Sequence, residues 1–171
     1  QIMRNKTIRN FILISFLSII VSRLIPHPPN FTSTIAVAFY IPALFGIKYM
    51  IVALSAFIVS DLIIGIHDQL LFTWGSLIII SLLSKFFCKF PYRILGISIS
   101  CMLFYLISNF GVWLISNMYS KNINGLIDCY IMAIPFLQNS LISSLFISIF
   151  LEVLITLNLS KNFIKKINSN F

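Results

Sequence analysis

The stretch RILGISISCMLFYLISNFGVWLI, residues 93–115, decides the fold class of this chain. It contains no charged side chain after Arg93, and it is as long as the roughly 20 mostly apolar residues that a helix needs to cross the hydrocarbon core of a bilayer. A helix that is apolar on all sides has no water-facing surface. The stretch therefore predicts a membrane-spanning α-helix.

The composition of the whole chain agrees with this prediction. Of the 171 residues, 59% are hydrophobic and 9% are charged, and the mean hydropathy is +1.01. A soluble domain has about 45–50% apolar and about 25% charged residues, so this chain lacks the polar surface that water requires. We predict one integral membrane domain over residues 1–171, with the lipid bilayer as its surroundings. Because the basic residues lie in short segments between apolar runs, the net charge of +8 does not indicate a nucleic-acid partner.

Five further apolar runs are candidate spans. We predict membrane helices at about 8–24, 34–47, 49–66, 71–87, 93–115 and 136–159. The run 34–47 is too short to cross upright and contains Pro42, so it must be shielded by its neighbours or lie where the bilayer is thin. The segment 125–135, GLIDCYIMAIP, ends at a proline, and we expect a short surface helix at about 125–134. The predicted fold is an all-α membrane protein, a bundle of six transmembrane helices.

The distribution of basic residues predicts the orientation of this bundle. With the N-terminus inside, only Arg23 and Lys121 of the 12 basic residues lie outside. The ten on the inner side are Arg4, Lys6, Arg9, Lys48, Lys85, Lys89, Arg93, Lys161, Lys165 and Lys166. Such a bias is typical of cytoplasmic segments. We therefore expect cytoplasmic N- and C-termini in a multi-pass protein of the bacterial cytoplasmic (inner) membrane.

Under this topology the unusual polar residues gather at the outer side. The candidate site residues are Arg23, His27, Asn30, Asp61, His67, Asn109, Trp113 and Tyr130. The segment PHPPNF, residues 26–31, is stiff because proline fixes its own backbone and restricts the preceding residue. Such a loop suits either a lid over a pocket or a rigid connector between two helices.

Asp61 is the most informative of these residues, because a carboxylate within an apolar span is costly unless it is paired or hydrated. Arg23, near the outer end of the first predicted helix, is its expected partner. The pair is either a structural staple or the floor of a pocket open to the outside. Asn109 also needs hydrogen-bond partners within the membrane. Trp74 fits an interfacial aromatic belt, and Glu152 lies within the last span without an evident partner.

The sequence has no motif typical of catalysis or metal binding. It contains no GxSxG, HExxH or glycine-rich phosphate loop, which are the usual local signatures of such chemistry. Cys88, Cys101 and Cys129 do not have the spacing of a metal site. We expect no catalytic residues, no enzyme activity, no cofactor and no bound metal.

Four stretches carry a resemblance to a known family. RLIPHPPNFT (23–32), SDLIIGIHD (60–68), SNFGVWL (108–114) and GLIDCYIMAIPFLQNSL (125–141) resemble uncharacterised bacterial integral membrane proteins. That family is similar to the substrate-binding S-components of energy-coupling factor (ECF) transporters. The resemblance implies an S-component-like bundle of six helices with a small-molecule site near the outer face. It also implies docking on a transmembrane coupling subunit driven by two cytoplasmic ATPases. The Ala-x-x-x-Ala docking face of S-components is replaced here by Ser18-x-x-x-Ser22.

These observations lead to one expected function and one alternative. The expected function is the substrate-binding subunit of an ECF-type transporter that takes up a small water-soluble vitamin or cofactor precursor. Trp113 and Tyr130 would stack on the ligand, and Asn109, Asp61, Arg23 and His27 would orient it. The alternative is a non-catalytic accessory subunit of a larger membrane complex.

Overall fold

The computed structural model describes residues 2–158, with side chains for residues 8–156. Every regular element in this range is helical, which confirms the all-α fold class. The α-helices are α1 (Ile2–Leu24), α2 (Thr34–Phe45), α3 (Met50–Ile64), α4 (Leu70–Leu83), α5 (Tyr92–Ile115), α6 (Ile123–Met132) and α7 (Ile134–Asn158). Short 3₁₀ turns, Ile47–Tyr49 and Ser84–Phe86, precede α3 and follow α4. Residue 159, the predicted end of the last span, and Lys161, Lys165 and Lys166 lie outside the described range.

Helices occupy all six predicted spans and the predicted surface segment, but they differ in length. Within the described residues, three stretches are long and apolar enough to cross a membrane: Ile47–Ile64, Tyr92–Ile115 and Ile134–Thr156. Large apolar side chains, including Leu13, Ile14, Leu71 and Phe146, are exposed on the outside of the bundle. These features are those of a membrane protein. The count of six crossings and the cytoplasmic location of both termini stay predictions.

Helix α2 forms the centre of the bundle. Its 12 residues rise about 18 Å, well short of the roughly 30 Å hydrocarbon core. Residues Thr34–Leu44 are all buried, and α2 contacts α1, α3, α4, α5 and α7. An apolar helix without a polar face is stable when it is enclosed in this way. Shielding by neighbours therefore accommodates the short second helix.

Pro42 interrupts the hydrogen bonding of α2, and α4 compensates for the interruption. Because proline has no backbone N–H, the carbonyl of Ala38, four residues earlier, lacks its helical donor. The hydroxyl of Ser81 in α4 donates to that carbonyl at 2.9 Å, and both residues are buried. A neighbouring hydroxyl thus satisfies the freed carbonyl and fixes α4 against the centre of the bundle.

Helices α5 and α7 are antiparallel neighbours. Arg93, near the start of α5, bonds to Glu152, near the end of α7, whereas Cys101 in the middle of α5 contacts Ser140 near the start of α7. The two helices also pack against each other and against α2. This arrangement brings the polar residues of α7 into the interior of the bundle.

Candidate functional site

The loop between α1 and α2, residues 25–33, is built around a tight turn. The Phe31 N–H donates to the Pro28 carbonyl at 2.9 Å, and Asn30 has a positive φ of 62°. Proline followed by a residue with positive φ, commonly Gly or Asn, is the pattern of a type II turn. The side-chain amide of Asn139 in α7 donates to the Pro29 carbonyl at 2.9 Å. The loop is thus shaped by its own sequence and tied to α7.

The predicted ion pair between Arg23 and Asp61 is present and buried. The guanidinium Nη2 lies 2.6 Å from the Asp61 Oδ1, and the Asp61 side chain is 2% exposed. Arg23 also donates to the hydroxyl of Ser60 and to the carbonyl of Phe57. The second carboxylate oxygen of Asp61 accepts from the indole N–H of Trp74 at 2.7 Å. Trp74, expected in an interfacial belt, instead completes a network that joins α1, α3 and α4.

A cavity of about 580 Å³ lies between this ion pair, the 25–33 loop and helices α2, α3, α5 and α7. We call it the first cavity. Five of the eight candidate site residues line it: Arg23, His27, Asn30, His67 and Asn109. Asp61 does not line it, but lies behind Arg23 and holds the guanidinium in place. The apolar walls include Phe57, Phe104 and Phe136.

Hydrogen bonds to the protein fix which ring nitrogens the two histidines leave for a ligand. The Nδ1 of His27 lies 2.6 Å from the Ile25 carbonyl, so the neutral ring donates there and presents Nε2 as an acceptor. The Nδ1 of His67 accepts from the Gln69 N–H at 3.2 Å. Its proton is therefore on Nε2, 4.0 Å from the Asp61 Oδ1. These tautomers are assigned from the bonding partners.

The amide of Asn109 is positioned by its own helix. Its Nδ2 donates to the Tyr105 carbonyl at 2.8 Å, and the residue is 7% exposed. Within the described residues, no group donates a hydrogen bond to the Asn109 Oδ1. The residue lines the first cavity. The Asn109 Oδ1 is therefore available to accept a hydrogen bond from a ligand N–H or O–H in the cavity.

Trp113 and Tyr130 are not part of this cavity. The Trp113 indole donates to the Ser120 carbonyl at 2.9 Å. The Tyr130 hydroxyl donates to the Leu106 carbonyl at 2.8 Å, with its ring 5.5 Å from that of Tyr105. Trp113 lies one helical turn beyond Asn109, and Ser120 and Lys121 of the following turn contact it. These two aromatic residues therefore attach α6 and its preceding turn to α5, and phenylalanines supply the aromatic wall of the cavity.

The first cavity carries no net formal charge. Arg23 is balanced by Asp61, and no other Lys, Arg, Asp or Glu side chain is among its lining residues. The cavity therefore combines an apolar wall with hydrogen-bonding groups, which is the composition of a small-molecule site. Within the described residues, no group of three or more His, Cys, Asp or Glu side chains could hold a metal ion.

The comparison with protein families covers nearly the whole chain. A family model matches residues 4–165. The chain belongs to a family of unknown function (DUF6580). No curated protein and no solved structure matches it.

Glu152, which has no evident partner in the sequence, belongs to a second polar cluster. Its two carboxylate oxygens lie 2.6 and 2.7 Å from the Nε and Nη2 of Arg93. The Tyr40 hydroxyl donates to the Glu152 Oε1 at 2.9 Å. Arg93, expected in an inner connecting segment, is buried in the first turn of α5. Antiparallel packing of α5 and α7 brings the two charges together. The sequence signal was one charge at the start of the span 93–115 and one within the span 136–159.

A cavity of about 680 Å³, which we call the second cavity, adjoins this cluster. Apolar residues of α5 and α7, including Ile94, Ile149 and Val153, line it together with Arg93 and Glu152. The nearby thiol of Cys88 is buried, and burial raises its pKa. A thiol that stays protonated is a poor nucleophile, so this cysteine is a small packing residue.

Ser18 and Ser22 of α1 point toward the start of α2. The Ser18 and Ser22 hydroxyls each lie 3.2 Å from the hydroxyl of Ser33, the residue before α2. They therefore join α1 to the start of α2. In this protein those positions serve the internal packing of the bundle.

Proposed function

We propose that this protein binds a small, uncharged, water-soluble molecule in the first cavity. We further propose that it is the substrate-binding, S-component-like subunit of an ECF-type importer. The observation that carries the proposal is the unpartnered Asn109 Oδ1, which lines a cavity of about 580 Å³. Small-molecule sites are usually clefts of about 300–1,000 Å³ with an apolar wall and a few polar groups.

The geometry of the lining groups defines the class of ligand. The Asn109 Oδ1 and the His27 Nε2 are hydrogen-bond acceptors, so the ligand should present N–H or O–H donors. Phe57 and Phe104 are buried side chains in the cavity wall and would contact a flat apolar body. Because Asp61 neutralises Arg23, a formally charged ligand would have no uncompensated counter-charge. A vitamin or cofactor precursor that is neutral at its recognised end has these properties.

The role in uptake rests on the sequence resemblance to S-components and on the stiff loop beside the first cavity. The chain has no ATP-binding motif, so energy from ATP would come from a coupling subunit and its two ATPases. Because Ser18 and Ser22 bond to Ser33, docking on that subunit would use another surface. Exposed apolar residues of α1, such as Ile14 and Val21, are available for it.

Native mass spectrometry of the gently solubilised protein tests the binding function. We expect a retained molecule of small mass in the wild type and at least tenfold lower occupancy in Asn109→Ala. Trp113→Ala is the matched control, since this side chain lies outside the cavity, and it should retain the molecule. Thermal unfolding of each variant checks that the fold is intact. A wild-type protein that retains nothing, or loses its ligand in Trp113→Ala alone, would contradict the proposal.

The second candidate function is a non-catalytic accessory subunit of a larger membrane complex. Both ion pairs, Arg23–Asp61 and Arg93–Glu152, are formed and join different helices. A purely structural role for these charged residues favours the accessory subunit. Under this alternative the same spectra would show stoichiometric membrane subunits and no small molecule. If a panel of small molecules were then added, Asn109→Ala would bind each of them as the wild type does.

A further inference from the structure

A file of polar side chains runs along α7. Its members follow at intervals of four residues: Ser140, Ser144, Ser148, Glu152 and Thr156. Successive members are neighbours on adjacent turns, and the file winds gradually around the helix axis. Ser140 lines the first cavity, whereas Glu152 and Thr156 line the second. From Ser140 to Glu152 the helix rises about 18 Å, so the file joins the two cavities through the interior of the bundle.

The serines of this file are buried, and helix packing explains only part of their presence. Ser140 is 2% exposed, and Ser144 and Ser148 are fully buried. Serine allows helices to approach closely, and its hydroxyl often bonds to its own helix, as that of Ser148 does to the Ser144 carbonyl at 2.6 Å. Alanine would provide the same close approach without a polar group.

Ser144 is the exception that packing does not explain. Its Oγ is the one buried side-chain oxygen or nitrogen in the described part of the chain that has no hydrogen-bond partner. The neighbouring Cys101 thiol donates to the Ser140 carbonyl at 3.5 Å, and its sulfur is only a weak acceptor for the Ser144 hydroxyl. Buried hydroxyls without a protein partner are commonly satisfied by internal water.

The other end of the file is a titratable carboxylate. Ser148 lies one turn before Glu152 on α7, and the Tyr40 hydroxyl donates to the Glu152 Oε1 at 2.9 Å. Among the described residues, the charged and titratable groups that face Glu152 are Arg93 from α5 and Tyr40 from α2. An ionisable residue within a membrane segment commonly marks a functional path.

We propose that this file conducts protons between the first cavity and Glu152, with water bound at Ser144. A proton from water in the first cavity passes through the Ser140 hydroxyl, the internal water and Ser144. It continues through Ser148 and Tyr40 to the Glu152 carboxylate. Each hydroxyl takes up one proton and releases its own, so only O–H bonds are exchanged. Glu152 then gives the proton to water in the second cavity, and Arg93 keeps its charge throughout.

Proton flux into liposomes that contain the purified full-length protein tests this path. A potassium diffusion potential set with valinomycin drives protons inward, and trapped pyranine reports the internal pH. We expect faster acidification than in protein-free liposomes, and at least tenfold slower flux in Ser144→Val and in Glu152→Gln. Ser98→Ala is the matched control, because the half-buried Ser98 bonds to its own helix at Ile94 and lies in neither cavity. It should conduct like the wild type.

Two results would overturn the proposal. One is a wild-type flux equal to that of empty liposomes, and the other is a flux that Ser144→Val leaves unchanged. If Ser144→Val does not fold, Tyr40→Phe, which removes one hydroxyl and keeps the ring, must lower the flux tenfold. No ligand is needed in this assay, so its failure would leave the proposed ligand site in the first cavity untouched.

Discussion

Replacement of Asp61 by asparagine is the sharpest test of how the bundle is held together. The substitution keeps the size of the side chain and removes its charge. Arg23 would then retain its contacts with Phe57 and Ser60 but lose its counter-ion. The amide has a single acceptor oxygen, so the Arg23 guanidinium and the Trp74 indole would compete for it.

The size of the effect follows from the burial of the pair. Removing one partner of a buried ion pair destabilises a protein by about 3–5 kcal/mol. The Arg23 side chain is 14% exposed, so partial hydration places the expected loss near the lower end, at about 3 kcal/mol. A change of 1 kcal/mol shifts Tm by roughly 2–4 °C in a chain of this size. We therefore expect Tm to fall by roughly 6–12 °C.

Thermal unfolding in one detergent, followed by tryptophan fluorescence, measures this loss. Asp68→Asn is the matched control, because Asp68 is exposed and has no ion pair within the described residues. It should change the free energy of unfolding by no more than about 0.5 kcal/mol. The double variant Arg23→Gln/Asp61→Asn should recover part of the loss, since neither charge is then left without its partner.

A loss below about 1 kcal/mol in Asp61→Asn would refute this reasoning, because such a value is typical of an exposed pair. Strict additivity in the double variant would refute it as well. Either result would mean that water reaches the pair and that it does not act as a staple between α1 and α3.

Two further predictions concern the packing of the helices. Ser81→Ala should destabilise the protein by about 1–3 kcal/mol, because it leaves the carbonyl opposite Pro42 without a donor; in a Pro42→Ala background, where the backbone N–H is restored, the same change should have little effect on Tm. Gly111→Ala should lower Tm clearly, since its Cβ would lie 2.4 Å from the Phe72 ring, whereas Gly75→Ala, which meets nothing within 4 Å, should not.

Part of the candidate site was predictable because it depends on a strong local rule. A charge within an apolar run must find a partner, and that rule paired Asp61 with Arg23. The same rule, applied to Glu152, gave no partner, because Arg93 was read as part of a connecting segment. Whether a charge at a helix boundary faces water or a neighbouring helix depends on packing that the local sequence does not express.

The aromatic residues show the same limit. The predicted topology places Trp113 and Tyr130 at the outer side with the candidate polar residues, yet they attach α6 and its preceding turn to α5. The phenylalanines that line the first cavity are 3 of the chain's 17, and nothing in their spacing distinguishes them from the others. The polar file of α7 could have been found from its four-residue spacing, but its meaning depends on the two cavities at its ends.

The sequence by itself determined that this is an all-helical membrane protein and where its helices lie. The length and hydropathy of a segment are local properties, and the cost of burying an unpaired charge holds in any fold. Only the tertiary structure decided that α2 is enclosed and that the Ser81 hydroxyl donates to the carbonyl left free by Pro42. It also decided that Glu152 bonds to Arg93 and Tyr40. Those outcomes depend on the rotation of each helix about its axis and on its neighbours. The physical reason is that an apolar run favours burial without specifying which of its faces meets which partner.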